Sequence, residues 1–144
     1  MSQVIIYQNP HGTNVCVCTP TGELPIQEVL TKDCPPGAII VDSSTLPTGD
    51  DDLFFNAWVL NGSTISVNIT KAISEQTIVL NGLAYAEAQH RAAKTGAGLS
   101  NVMSDADWIT TLSTARAAIA ASTTTAQLVA AIAPVQAAIT SNKE

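Results

Sequence analysis

Between residues 108 and 139 the chain carries one charged side chain, Arg116. Ala, Thr, Ser and aliphatic residues make up most of the rest. Trp108, Ile109, Leu112, Ala115 and Ile119 recur at helical intervals, and Leu128, Val129, Ile132, Val135 and Ile139 repeat that pattern twenty residues later. Two paired helices are the economical reading, with Ser104 and Asp107 as the N-terminal cap of the first. A helix that meets water normally carries Glu and Lys on its wet side. These two do not, so their surface is expected to lie against other protein. Pro134 lacks a backbone donor and is expected to kink or break the second helix.

Charge divides the chain. In residues 1–65 Lys32 stands alone against Glu23, Glu28, Asp33, Asp42, Asp50, Asp51 and Asp52, and residues 66–144 balance five bases with five acids. The whole net charge of −6 therefore sits in the first part. This predicts an acidic head over residues 1–69 and an Ala/Thr-rich helical region over 70–144. An acidic head is unsuited to a phosphate backbone, so no nucleic-acid partner is expected. No basic leader with an apolar run opens the chain, and no window is long enough to cross a bilayer, so neither secretion nor a membrane partner is expected. Three cysteines cannot all pair with one another, which favours a reducing compartment.

The expected fold class is α+β: a small antiparallel sheet with one short helix, then a helical hairpin or helical tail. Val4–Tyr7 and Asn14–Cys18 read as strands flanking the turn signal Asn9-Pro10-His11-Gly12. A short helix follows Pro25, with Ile26, Val29 and Leu30 on one side, and ends at Cys34-Pro35-Pro36-Gly37. Residues 38–41 read as a third strand buried on both faces. Residues 54–60 and 63–69 read as two strands about Asn61-Gly62, the signal for a type I′ hairpin turn. From Thr70 the pattern is helical, with residues 76–84 open to either helix or strand. Gly96 and Gly98 close that element.

Candidate chemistry is sparse. Cys16 and Cys18 point the same way from a strand. Zinc would need Cys34, His11 or His90 to join them, and no C-x-x-C spacing is present. Buried or partly buried thiols and no metal are the expectation. No glycine pattern of a nucleophile elbow surrounds any Ser or Cys, so no catalytic residue is assigned and the chain is expected not to be an enzyme. Asp50-Asp51-Asp52 lacks the alternating ligands of a calcium loop and reads as a solvated acidic turn. Gly96-Ala97-Gly98 lacks the order of a phosphate loop. Tyr85, Arg91, Lys94 and Arg116 are a speculative nucleotide or anion set, because Arg and an aromatic ring suit a phosphate and a stacked base. No cofactor is expected.

Residues 3–72 carry a more specific pattern. It comprises residues 4–8 (VIIYQ), residues 23–30 (ELPIQEVL), Lys32-Asp33-Cys34-Pro35-Pro36-Gly37, Ile40-Val41-Asp42, Leu46-Pro47, Phe55-Asn56-Ala57-Trp58 and Lys71-Ala72. This part resembles a family of small tailed-bacteriophage proteins encoded in the tail and tail-fibre gene region. The resemblance implies a β-rich head followed by variable helices, without an enzymatic signature. It also implies a protein that acts by protein–protein contact, as a tail-associated minor virion component or assembly factor. Its place would be the host cytoplasm during infection, or the virion. The alternative is an anti-defence protein that sequesters a host signalling nucleotide or blocks a host immune factor. The expected interface, including self-association, is Trp108, Ile109, Leu112, Ile119, Leu128, Ile132, Val135 and Ile139, because burying apolar area drives association.

Overall fold

The computed structural model describes residues 2–143. The fold is α+β, with small antiparallel sheets and helices. It divides into two compact units, one through Asn68 and one from Ile69 onward.

In the first unit, β1 (Gln3–Gln8) is the centre of a three-stranded antiparallel sheet, between β2 (Val15–Cys18) and β3 (Ile39–Asp42). Alternation along β1 sends Val4 and Ile6 to one face and Ile5 and Tyr7 to the other. Val4 and Ile6 are buried with Val15, Trp58 and Ile65 in a single apolar cluster. On the opposite face, Cys18 pairs with Ile5 and Cys16 with Tyr7 in the strand register. The loop between β1 and β2 is tied by Asn9, whose side-chain oxygen accepts the His11 N–H at 2.9 Å. The helix α1 (Ile26–Asp33) is short and holds no fully buried residue.

The structure corrects three expectations here. β3 is an edge strand and all four of its residues are only half-buried, so it is not enclosed on both faces. Ile39 and Val41 of its apolar run pack against the cluster that contains Val4, Ile6 and Trp58. Residues 54–57 are not strand. They end a 3₁₀ segment, Gly49–Ala57, and β4 (Trp58–Asn61) begins after it. The indole N–H of Trp58 donates to the Asp51 carbonyl at 2.9 Å, which anchors the acidic turn to the core. Finally, β4 and β5 (Thr64–Val67) pair with Asn61 opposite Thr64, so Gly62 and Ser63 form the two-residue loop. Only Gly62 has positive φ, +62°. That is the pattern of a II′ turn with glycine first, not a I′ turn centred on Asn61-Gly62.

The second unit is a bundle of three helices. α2 (Ile69–Gly96) is continuous for 28 residues, about 42 Å at 1.5 Å per residue, so residues 76–84 are helix. It ends in a Schellman motif: Leu99 N–H bonds to Lys94 O at 2.8 Å and Gly98 N–H to Thr95 O at 3.0 Å. Gly98 takes the left-handed position, with φ +77°. α3 (Asp105–Ala120) starts at Ser104, whose hydroxyl accepts the Asp107 N–H at 3.1 Å. α4 (Thr125–Asn142) starts at Thr124, which accepts the Gln127 N–H. Of the expected kink or break at Pro134, the break does not occur, because α4 runs through that residue. Pro134 is exposed, as is Ala130 four residues before it, so the carbonyl that loses its partner faces water.

Side-chain bonds give the direction of packing. Arg91 reaches Asp105 and Arg116 reaches Asn81, so α2 and α3 are antiparallel. Gln76 reaches the Leu128 carbonyl and Lys94 reaches Asn142, so α2 and α4 are parallel. The core combines Ala72 and Leu80 of α2, Trp108, Ala115 and Ile119 of α3, and Leu128, Ile132 and Val135 of α4.

Candidate functional site

A dense polar arrangement lies where α2 and α4 end and α3 begins. Asn142 is its hub, only 1% exposed near the end of α4. Its side-chain oxygen accepts from Lys94 Nζ at 3.1 Å and from the Val102 N–H at 2.9 Å. Its side-chain nitrogen donates to Asn101 Oδ1 at 3.0 Å. Its backbone carbonyl accepts a second bond from Lys94 Nζ at 2.9 Å and one from His90 at 3.1 Å. A carbonyl cannot donate, so His90 Nε2 is the donor in this bond. Beside this hub, Arg91 donates to the Met103 carbonyl at 2.7 Å and to Asp105 at 2.6 Å. Its guanidinium carbon lies 5.9 Å from the Trp108 ring centroid. These bonds hold the α2–α3 connection in place. They leave neither Arg91 nor Lys94 uncommitted.

Two carboxylates on α2 are less well served. Glu75 Oε1 and Glu87 Oε2 are enclosed and have no hydrogen-bond partner among the described residues. Burial pushes the Glu75 carboxyl above the usual carboxylate range. Glu87 is 3% exposed and lines a cleft of about 290 Å³ with Leu83, Ala86, His90, Ile139 and Lys143.

The expected interface set is mostly internal. Trp108, Ile119, Leu128, Ile132 and Val135 are buried in the bundle core, and Leu112 and Ile139 are half-buried. Ile109 alone faces outward, 62% exposed. Within this chain α2 packs over the Ala-rich hairpin, and all of these side chains except Ile109 are buried or half-buried there. The speculative nucleotide set is also dispersed. Arg91 and Lys94 are bound as described, Arg116 donates to Asn81 Oδ1 at 2.6 Å, and the Tyr85 hydroxyl accepts from Gln89 at 3.0 Å. Asn81 and Arg91 lie ten residues apart on α2, about 15 Å along its axis, so the two guanidinium groups do not share a pocket.

In the first unit all three thiols are half-buried, with Cys16 and Cys18 on the Tyr7 side of the sheet. Burial raises the Cys34 thiol above its ordinary range, and the adjacent Cys18 adds to the effect. Burial, with Cys16 alongside, does the same to the Tyr7 phenol. Among the described residues, no three His, Cys, Asp or Glu side chains stand together as a metal site.

The unusual surface is the outside of the bundle. Between Gln76 and Asn142 the charged residues are Glu87, Arg91, Lys94, Asp105, Asp107 and Arg116. Glu87 and Arg91 are buried and Lys94 is half-buried, which leaves Asp105, Asp107 and Arg116 as the exposed charges of that stretch. The outward line of α2 runs through Ile78, Gly82, Tyr85, Gln89, Ala92 and Gly96, all exposed and none charged. Ile78 is 71% and Tyr85 69% exposed.

Reading by apolar spacing finds Trp108 and Leu128 but passes over Gln76, Glu87, Asn101 and Asn142. The available signal is position: Gln76, Leu80, Glu87 and Arg91 share the helical face of Ala72, so polar residues sit on an inward stripe. No known family model matches the chain, and neither a curated protein nor a solved structure shows detectable similarity to it.

Proposed function

We propose that this chain is a non-enzymatic tailed-bacteriophage protein that works by protein–protein contact, as a tail-associated component or an assembly factor. The resemblance of residues 3–72 supports the source. The observation that carries the mode of action is the uncharged outer line of α2, with Ile78 and Tyr85 presented to water. Isolated exposed apolar residues are common on any surface. Here they stand on a helix face without the charges that usually keep such a face solvated and solitary. Self-association through this face, with Ile109 as a further exposed anchor, is the simplest use of it.

Two measurements test the reading. Light scattering on the eluting chain should give a multiple of the 14.9 kDa chain mass, and replacing both Ile78 and Tyr85 by Glu should return it toward one chain. Mass spectrometry of purified virions should find the protein among tail components, or in tail assembly intermediates. A solitary chain at high concentration, missing from both preparations, would defeat the proposal.

A further inference from the structure

We infer that the cleft between α2 and α4 around Glu87 is a binding site for a small alkylammonium group. Glu87 is almost wholly enclosed, yet its Oε2 has no hydrogen-bond partner among the described residues. Neither ion pair found among those residues includes it; they join Lys32 to Glu28 and Arg91 to Asp105. A buried carboxylate oxygen without a partner is costly, and native chains supply such groups with a donor or a cation. The cations nearest in sequence are committed elsewhere: Arg91 to Asp105 and Met103, Lys94 to Asn142.

The walls define the ligand. Leu83, Ala86 and Ile139 are apolar and suit a short alkyl chain. His90 lines the same cleft, with its Nε2 bonded to the Asn142 carbonyl. An ammonium has three donors and no acceptor, so it complements the carboxylate of Glu87. A volume of about 290 Å³ is at the small end of ligand pockets, which favours a compact amine. Lys143 stands at the rim and is the chain's own competitor for Glu87.

The test uses the full chain, with methyl NMR signals of Leu83, Ala86 and Ile139 followed as butylammonium chloride is added against sodium chloride at equal ionic strength. Saturable shifts at millimolar amine are expected, with 1-butanol, the neutral counterpart, binding at least about tenfold more weakly. Glu87→Gln should weaken amine binding by a similar factor, and Lys143→Ala should leave it equal or tighter. The comparison with butanol needs no variant, so it stands if Glu87→Gln does not fold. A blocked lysine peptide that binds more tightly than butylammonium would assign the group to a polypeptide, and the reverse order to a free amine. Equal affinity for amine and alcohol, no saturation in the wild-type chain, or binding only after Lys143→Ala would overturn the inference; in the last case Lys143 itself is the occupant.

Discussion

Asn142 offers the sharpest test of how the helical unit is held together. Asn142→Ala removes three side-chain bonds: those from Lys94 at 3.1 Å and from Val102 N–H at 2.9 Å, and the one to Asn101 at 3.0 Å. A neutral intramolecular bond contributes about 1 kcal/mol net, and one to a charged group about 1.5–3 kcal/mol. Lys94 keeps the Asn142 backbone carbonyl at 2.9 Å, so its loss belongs at or below the low end of that range. Alanine is also the better helix former, by a few tenths of a kcal/mol. The expected destabilisation is therefore about 3 kcal/mol, with about 2–4 kcal/mol as the working range. For a unit of this size that lowers Tm by roughly 12–24 °C. Urea unfolding followed by far-UV circular dichroism reads it directly. Asn142→Asp gives an internal control. It retains an acceptor for Lys94 and Val102 but turns an oxygen toward Asn101 Oδ1, so its loss should be smaller than that of alanine. A cost for Asn142→Ala below about 0.5 kcal/mol, the range of ordinary surface changes, would refute the hub role.

Trp108→Ala should cost about 3–5 kcal/mol, because the indole is buried between helices and its removal leaves a cavity; calorimetry of the variant checks it. Glu75→Gln should raise Tm at neutral pH by a few degrees. Its folded-state carboxyl is raised by burial, so the protonated form favours the fold and that contribution is lost as pH rises through the folded value. Below the unfolded value both states are protonated and the gain should vanish; a gain independent of pH would remove burial of the charge as its cause. Cys34 should react with iodoacetamide more slowly at mildly alkaline pH in the folded chain than in urea, because its thiol is raised by burial. Equal rates, read by peptide mass spectrometry, would contradict that placement. Gly62→Ala should cost about 1 kcal/mol or more through the positive φ of the turn, whereas Ser63→Ala should change little.

What could be read in advance depended on whether a residue's neighbours in sequence decide its role. Strand alternation at Val4–Tyr7, the Ser104 cap and the Gly98 stop are local, and each is visible in a window of a few residues. The twenty-residue repeat also maps onto the packed faces of α3 and α4: Trp108 and Leu128, and Ala115 and Val135, are buried pairs in that register. What covers those faces is not local. α2 reads as indistinct because its inward stripe includes Gln76, Glu87 and Arg91, while its outward line includes Ile78 and Tyr85. Hydrophobic periodicity therefore cancels along the helix that completes the bundle. Taken by itself the hairpin is bare, so its apolar residues read as an interface, whereas in this chain most of them face the bundle interior. The polar hub was hidden for the same reason: Asn142 meets His90, Lys94 and Val102 only across forty or more residues, and nothing near it in sequence marks it as buried. The unsatisfied Glu87 follows from that architecture. Once α2 turns a carboxylate inward between Leu83 and Ile139, the fold bears its desolvation whether or not a ligand is present. A chain that needed α2 only as a cover would do better with an apolar residue there, which gives Glu87→Leu a discriminating outcome. Raised stability together with loss of amine binding would mark Glu87 as a residue kept for recognition at the expense of the fold.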